Sequence, residues 1–436
     1  MAKRVVIVVC DSLRQDLVRA DIAPVLAALR LDGCAFHAFR SVFPSTTRTS
    51  SASMATGCLP ATHGLLGNTM ALDEGDGLVC RSVGDPDFRT RMRRATGGTL
   101  RVPTLAQRLA PHGGSIVMSN VSPGAAYVQD PDGWGHVYHR AGSFAPGLRP
   151  EPADRHLAIA IGADGDAAMT RRFCGEILRD RRPALAVLWL SEPDHTGHGE
   201  PLGSPAHRAA IGSADARVGD VLDAVAALER EGDDVLLVAC SDHGMETTRR
   251  TIDATERLVA AGLKEGPDSS DVVVAPNGTA AVIYAAPDAA DRAPALRRFL
   301  EQEDWVGGVY EGDALATIGL PVGGNVLMAV TTATDAAANA FGVAGHADIV
   351  RDPESARSYD GFGQHGGLGT NEQNPFLVVR GGGFARRRAT DHPCSLIDIA
   401  PTVLRHLGLA ADGMDGTALP LEPPDKDGDA RCIASR

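Results

Sequence analysis

Apolar runs that end in acidic residues constrain the fold of this chain more than any other feature. Continuous apolar runs predict fully buried strands at residues 5–10, 184–190 and 235–240. An aspartate follows each run: Asp11, Asp194 and Asp242. Because open α/β sheets bind their ligands outside the carboxyl ends of the strands, the sequence predicts a functional site built from these acids.

Helical periodicity lies between the runs. Apolar residues recur at helical spacing in residues 16–31, 104–109, 167–178 and 205–229. Shorter patterns predict strands at 34–43, 115–118 and 376–379, and a final helix at 394–409. Strands that alternate with helices predict an α/β fold with a doubly wound, mostly parallel sheet flanked by helices.

The pattern changes near residue 246, where short strands surround one helix at 293–300, and the core pattern returns after Gly361. We therefore expect residues 1–245 and 360–436 to form the catalytic core and residues 246–359 to form an inserted, smaller α+β cap lobe.

Residues 119–165 are rich in glycine, proline and aromatic residues. This composition predicts loops over the site or part of a cap.

Charge and cysteine usage exclude some partners. The net charge of −13 argues against a nucleic acid polymer, which needs a basic face. The eight cysteines form no CxxC pair, which indicates free thiols in a reducing compartment. No apolar stretch has the length of a membrane span or of a signal sequence. We therefore expect a cytoplasmic protein with no membrane partner, either a monomer or a homodimer.

The segment 43–68, FPSTTRTSSASMATGCLPATHGLLGN, is dense in hydroxyl residues and has Pro44 and Gly57 around a short helical stretch. This layout is typical of a helix N-terminus that carries a hydroxyl, where backbone N–H groups and the helix dipole favour an anion. A serine or threonine N-cap on a small-residue helix is the simpler alternative. The segment alone does not distinguish the two, nor one hydroxyl from another.

Acids and histidines follow the predicted strands in a pattern typical of metal ligands: Asp11, Asp194, His198, Asp242, His243 and His365. Taken singly, each could be a helix cap or a solvated loop residue, but their joint occurrence favours a site. Aspartate and histidine without cysteine suit zinc or a similar divalent ion. Two ions about 3.5–4 Å apart can stabilise the attacking and leaving oxygens of an in-line displacement at phosphorus. His63, His195 and His207 lie outside the pattern and are not expected to be ligands.

Five motifs together resemble the alkaline phosphatase superfamily, and within it the nucleotide pyrophosphatase/phosphodiesterase and phosphonoacetate hydrolase-like branch. They are VVCDSLR, the whole 43–68 segment, SEPDHTGHG, SDHGM and GQHGGLG, in that order along nearly the whole chain. The resemblance implies that Thr47 is a covalent nucleophile and that Asn68 donates to a phosphoryl oxygen. It also implies two Zn²⁺ ions, although other divalent ions are possible. One would be held by Asp194, His198 and His365, and the other by Asp11, Asp242 and His243 together with Thr47.

The sequence departs from this branch beside the implied nucleophile. Where the pyrophosphatases usually carry Pro-Asn, this chain has Arg48, Thr49 and Ser50. Arg48 is a candidate substrate-binding residue, because a guanidinium can bind a phosphoryl oxygen or a carboxylate in a bidentate manner; a solvated surface arginine is the alternative. The lysines that phosphonoacetate hydrolases use have no well-placed match, and no sulfatase-type CxPxR motif is present.

The resemblance implies a two-zinc hydrolase of phosphate esters, of the phosphodiesterase or nucleotide pyrophosphatase type. Its substrate would be a small phosphorylated or phosphonate compound, and its intermediate a phosphothreonine. The alternative is a phosphonate or phosphomonoester hydrolase with the same site. A non-catalytic binding protein on this fold is less favoured, because all seven implied ligand positions are intact. A phosphoglycerate mutase relative would need a larger second lobe.

Overall fold

A ten-stranded sheet forms the centre of the computed structural model, which describes residues 1–353 and 357–422. In spatial order its strands are Arg388–Thr390, Cys34–Phe36, Leu377–Gly381, Asp234–Cys240, Lys3–Cys10, Leu185–Leu190, Ser115–Ser119, His136–His139, Gly142–Ala145 and Arg149–Pro150. The five strands from Asp234–Cys240 to His136–His139 are parallel. The predicted doubly wound, mostly parallel sheet is confirmed.

The strand register brings the ends of the predicted runs to one edge of the sheet. Val9 of the first strand pairs with Trp189 on one side and with Cys240 on the other. The aspartates that follow these strands therefore emerge on the same edge, as the carboxyl ends of parallel strands must.

Helices cover both faces of the sheet because alternate residues of each buried strand point to opposite sides. Val6 and Val8 pack into a core with the helices Pro24–Asp32 and Pro205–Arg230. Ile7 and its neighbours on the other face pack against the helix Ile399–Leu407. The remaining α-helices are Thr47–Thr56, Pro60–His63, Phe88–Thr96, Leu105–Leu109, Pro123–Val128, Ala163–Arg172, Asp194–Gly197, Ala254–Ala260, Ala293–Leu300 and Ala314–Thr317.

Two further four-stranded sheets lie mostly within residues 246–364. One has the strand order Thr334–Ala338, Ala344–Val350, Glu246–Ile252 and Gly363–Gln364, and the other the order Val272–Pro276, Ala280–Ala285, Val326–Thr332 and Val306–Glu311. Smaller pairs join Thr69–Asp73 to Leu78–Ser82 and Phe39–Arg40 to Cys394–Ser395. The boundaries of the inserted cap lobe at 246 and 359 stay a prediction. The end of the tail, from residue 423, lies outside the described residues.

The predicted helix at 16–31 is wrong in its first half. The structure has a 3₁₀ turn, Gln15–Leu17, and the α-helix begins only at Pro24. Proline lacks the N–H that a helix interior needs and suits the first turn, so Pro24 starts a helix and cannot continue one from residue 16.

Other predicted boundaries also need correction. Residues 119–165 are not loops alone, since they contain the helix Pro123–Val128 and three short strands that extend the central sheet. Their elements are too short for the sequence periodicity to reveal. The strand predicted at 34–43 is two short strands in different sheets, and the final helix begins at Ile399 after a 3₁₀ turn. The helix predicted at 167–178 runs from Ala163 and continues as a π-helix, Phe173–Arg181.

No helix within the described ranges is both long enough and apolar enough to cross a membrane.

One carboxylate joins two helices on the same face of the sheet. The Asp215 carboxylate, on the helix Pro205–Arg230, accepts hydrogen bonds from the backbone N–H groups of Val25 and Leu26 at 3.0 and 2.7 Å. Ala23, at the N-cap of the helix Pro24–Asp32, has no side chain that could accept them. Asp215 therefore takes the role of an N-cap from a distant part of the chain.

We expect Asp215→Ala to lower the free energy of unfolding by about 1–3 kcal/mol, because two buried N–H groups lose their acceptor. The exposed Asp223, on the same helix, provides the matched control, and Asp223→Ala should change this free energy by less than about 0.5 kcal/mol. Urea denaturation of both variants measures the difference. Equal losses would contradict the capping role.

Candidate active site

Two groups of three acid and histidine side chains lie at the carboxyl edge of the sheet. Their ligand atoms lie within 4.8 Å of one another in each group. The first group is Asp194, His198 and His365, and the second is Asp11, Asp242 and His243. The structure brings together all six acids and histidines singled out in the sequence, in the same two sets that the family resemblance implies. The rings of His243 and His365 stack with centroids 3.7 Å apart and so place the groups side by side.

All three histidines present the same ring nitrogen to the acids. The Nδ1 atoms of His198, His243 and His365 each contact a backbone carbonyl, at Gly363, Gly244 and Ser45. A carbonyl can only accept, so each Nδ1 carries a proton and donates it. In the neutral ring, Nε2 then offers a lone pair, which is the arrangement that orients metal-bound histidines.

These lone pairs face carboxylate oxygens that have no donor. His243 Nε2 lies 3.0 Å from Asp242 Oδ2 and 3.5 Å from Asp11 Oδ1, and the Nε2 atoms of the other two histidines lie 3.3 and 3.5 Å from Asp194 Oδ1. All three oxygens are buried and find no hydrogen-bond partner among the described residues. Lone pairs that converge on unpaired carboxylate oxygens fit a cation between them.

The other oxygens of the second group are held in place. Trp189 Nε1 donates to Asp11 Oδ2 at 3.1 Å, and the backbone N–H of Ser12 donates to Asp242 Oδ1 at 3.2 Å. Each carboxylate therefore has one oxygen fixed by the protein and one directed at the space between the ligands. Such outer contacts orient the ligands of a metal site.

The pKa shifts of the ligands also favour a cation between them. Burial, together with the carboxylates of Asp242 and Asp194, raises the pKa of Asp11 well above its usual value. Burial, together with the adjacent His243, lowers the pKa of His365. Metal ligands must be unprotonated, so a cation in this group competes with a proton on Asp11.

Thr47 carries a hydroxyl that contacts a side-chain ligand atom of the second group. It is the first residue of the helix Thr47–Thr56, and Thr47 Oγ1 lies 3.1 Å from His243 Nε2. In the neutral ring His243 Nδ1 carries the only proton, so the Thr47 hydroxyl is then the donor in this contact. The helix N-terminus adds positive potential at the hydroxyl. The helix ends at Gly57, where a φ of 69° favours glycine.

The residues before Thr47 do not cap the helix with their side chains. Thr46 is at the N-cap position, but its side chain does not cap the helix and instead contacts the Thr49 hydroxyl at 2.9 Å. The Ser45 hydroxyl donates to Gly367 O at 3.0 Å and thereby joins the helix to the His365 loop. The simple N-cap interpretation of this segment is therefore wrong in this structure.

Asn68 and Arg48 lie beside Thr47. The backbone N–H of Arg48 donates to Asn68 Oδ1 at 3.3 Å, which leaves the Asn68 amide NH₂ as the group available to a ligand. Arg48 is half-buried and not a solvated surface arginine, since its guanidinium donates to Asn68 O at 2.7 Å and to two serine hydroxyls.

Two buried acids that the sequence analysis missed hold the site loops. Asp166 accepts from the backbone N–H groups of Ser191 and Glu192, just before Asp194. Glu372 accepts from the backbone N–H groups of Gly366, Gly367 and Gly369, just after His365. No sequence signal distinguishes either acid from an ordinary polar residue. The backbone groups that bond to Asp166 are distant from it in the chain, and those that bond to Glu372 lie in an irregular loop.

The three histidines not expected to be ligands lie outside both groups. His63 is buried and contacts Ser53 Oγ at 3.0 Å, while His207 Nδ1 accepts from the Gly203 N–H at 3.1 Å. His195 is exposed at the rim of the site.

This sheet, with its acid–histidine edge and helix-borne hydroxyl, is the architecture of a phosphoric ester hydrolase of the alkaline phosphatase superfamily. The model of the type I phosphodiesterase/nucleotide pyrophosphatase family matches residues 5–305, so the chain belongs to that family. His365 lies beyond the matched segment. A search of the curated proteins finds no match.

Solved structures share the fold. The chain is similar to murine ectonucleotide pyrophosphatase/phosphodiesterase 5, with 17% identity, a TM-score of 0.67 and coverage of 95% of this chain and 98% of that one. The human counterpart has 15% identity, a TM-score of 0.65 and coverage of 95% and 97%. An inactive form of the murine protein, with a threonine-to-alanine substitution and in complex with AMP, has 16% identity, a TM-score of 0.66 and coverage of 95% and 97%.

Metal stoichiometry tests the two groups separately. We expect the protein to bind about two divalent ions per chain, and His198→Ala and His243→Ala to bind about one each, because each variant removes a ligand from only one group. Elemental analysis after dialysis against zinc measures the content. His195→Ala, a change in the same loop as His198, should retain about two. Equal metal loss in this control would contradict the ligand assignment.

Proposed function

We propose that this chain is a two-zinc phosphodiesterase of the nucleotide pyrophosphatase type that acts through a covalent phosphothreonine at Thr47. One observation carries the proposal: the Thr47 hydroxyl lies at a helix N-terminus and contacts the His243 nitrogen that faces the carboxylates of Asp11 and Asp242. The donor set, aspartate and histidine without cysteine, suits zinc.

Two bound zinc ions would lower the pKa of the Thr47 hydroxyl and stabilise charge on the attacking and leaving oxygens. Thr47 Oγ1 loses its proton to solvent and forms a bond to phosphorus. The bond from phosphorus to the leaving oxygen breaks, and that oxygen takes up a proton from solvent. Water then attacks the phosphothreonine, which releases phosphate or its monoester and restores the threonine.

The remaining side chains have positioning roles in this scheme. Asn68 donates its amide NH₂ to a phosphoryl oxygen, since its Oδ1 is already engaged by the Arg48 N–H. The backbone at the N-terminus of the Thr47 helix adds positive potential where the anion binds. Asp166 and Glu372 keep the ligand loops in place.

AMP in the complex of the murine relative makes nucleotides the first substrates to test. The alternative with the same site, a phosphonate or phosphomonoester hydrolase, requires the same Thr47 chemistry, so both belong in one substrate panel. A cytoplasmic location is part of the proposal and is supported by seven free cysteines in the described part of the chain.

We expect Thr47→Ala to lower hydrolysis of bis-p-nitrophenyl phosphate by at least about a thousandfold while the metal content is unchanged, because the nucleophile is lost but the three acid and histidine ligands of each ion remain. Thr47→Ser should retain measurable turnover. Steady-state rates on zinc-loaded protein measure both.

Thr56→Ala is the matched control for this prediction. Thr56 is buried at the far end of the same helix, and its hydroxyl donates to Ala52 O at 2.7 Å. This variant should keep the wild-type rate. If Thr47→Ala instead hydrolyses the diester at a rate near that of the wild type, Thr47 is not the nucleophile.

A further inference from the structure

The site opens into a cleft with two chambers. The first chamber, about 300 Å³, is lined by Asp11, Thr47 and the ligands of the first group. The second, which we name the side chamber, is about 210 Å³ and is lined by Thr46, Ser82, Thr251, Asn277 and Gln364, among others. Six residues line both: Arg48, Asn68, His198, Arg357, Tyr359 and His365.

This layout separates the two ends of a substrate. A phosphoryl group at Thr47 lies in the first chamber, and the side chamber, which shares six lining residues with it, offers a separate space for the leaving group. Its volume lies below the roughly 300–1,000 Å³ of sites for drug-sized ligands. The leaving group that it holds is therefore small.

The lining of the side chamber suits an acid better than a nucleobase. Its one aromatic side chain is Tyr359, and the Arg357 guanidinium already covers that ring at 5.3 Å from the centroid. Base recognition without pairing relies on open aromatic faces. Three arginines, Arg48, Arg351 and Arg357, line the side chamber together with one acid, Asp352, and the other groups named above are hydroxyls and amides. The lining therefore carries net positive charge, which suits an anionic ligand.

Arg48 supplies a positive charge at the junction of the chambers. Its hydrogen bonds go to neutral acceptors, Asn68 O, Ser82 Oγ and Ser122 Oγ, and it forms no ion pair within residues 1–353 and 357–422. Burial lowers the pKa of its guanidinium to about 10, so it remains charged at neutral pH. The carboxylates of Asp85 and Asp352 act on Arg48 from beyond ion-pair distance, so its charge is only partly compensated. An anion that pairs with it directly is therefore favourable.

The position of the guanidinium is fixed by the backbone around it. A Cβ atom at Gly84 would collide with Arg48 Nη2, and one at Gly124 would lie 3.0 Å from Arg48 Nε. Side chains at either position would displace the guanidinium, whereas glycines let it lie close to the chain. Arg48 is thus held beside Thr47 before any ligand arrives.

We propose that the natural substrate is a phosphate ester whose small leaving group carries a second acidic group, a carboxylate or a phosphate, and that Arg48 binds this group. The inference rests on the proposed function, because it assigns the scissile phosphoryl group to Thr47. It makes Arg48 the residue that determines the leaving group.

Matched small esters test the inference. Phosphoglycolate, with a carboxylate in the leaving group, ethylene glycol bisphosphate, with a phosphate there, and ethyl phosphate, with neither, are compared as monoesters and as methyl diesters on zinc-loaded protein. We expect kcat/KM for at least one acidic leaving group to exceed that for the neutral one by about tenfold to a hundredfold, the effect of one charged hydrogen bond. The first two compounds distinguish a carboxylate from a phosphate.

Variants of Arg48 assign the preference to its side chain. Arg48→Gln should reduce the ratio of kcat/KM for acidic over neutral leaving groups to about one. Arg48→Lys should keep part of this ratio, because lysine keeps the positive charge but cannot form two parallel hydrogen bonds. Arg89→Gln is the control: Arg89 is also half-buried and lies over the Tyr127 ring, outside both chambers. It should leave the ratio unchanged.

Two results would overturn the inference: equal kcat/KM for acidic and neutral leaving groups, or an equal loss for both in Arg48→Gln. Titration calorimetry of the Thr47→Ala protein with the same compounds provides a readout independent of turnover, and tighter binding of the acidic compounds is expected there. If no phosphate ester or diester is hydrolysed, the proposed function fails, while the binding preference still decides the role of Arg48.

Discussion

Buried carboxylate oxygens that face histidine lone pairs are the constraint on which this structure depends. Asp11, Asp194 and Asp242 each have an oxygen without a hydrogen-bond donor among the described residues. In their neutral form the nearest histidine rings supply none, because the single ring proton of each is committed to a backbone carbonyl on the other side. Such an arrangement is unfavourable in a protein interior unless a cation neutralises it. The two groups therefore fit cation sites, and in the proposed function Thr47 is the residue that the cations would activate.

Other buried acids show what a structural carboxylate looks like in the same protein. Glu372 accepts three backbone hydrogen bonds in the His365 loop, and Asp166 accepts several at residues 191 and 192. Their oxygens are satisfied by the chain itself, whereas Asp11, Asp194 and Asp242 each keep one oxygen without a donor among the described residues. The difference separates acids that hold loops in place from acids that remain available to a ligand. It also explains why the site loops keep their geometry at the edge of a rigid sheet.

The sequence predicts the centre of the site well and its surroundings poorly. Asp11, Asp194 and Asp242 are predictable because a buried strand followed by an acid places that acid at one sheet edge, whatever the details of the loops. The start of the helix at Pro24 and the short strands within 119–165 are not captured, since local helical spacing continues past a proline and strands of two to four residues carry no periodicity. The roles of Glu372 and Asp166 cannot be predicted from the sequence, because their hydrogen-bond partners are backbone groups. The environment of Arg48 depends on Ser82, Gly84, Ser122 and Gly124, which only the tertiary structure brings together.

Anomalous diffraction from crystals of the zinc-loaded protein, measured at the zinc absorption edge, tests the central claim most directly. The account predicts two strong peaks, one among Asp194, His198 and His365 and one among Asp11, Asp242 and His243, the second also next to Thr47 Oγ1. Peaks elsewhere on the chain, or the absence of any peak at these two groups, would contradict it.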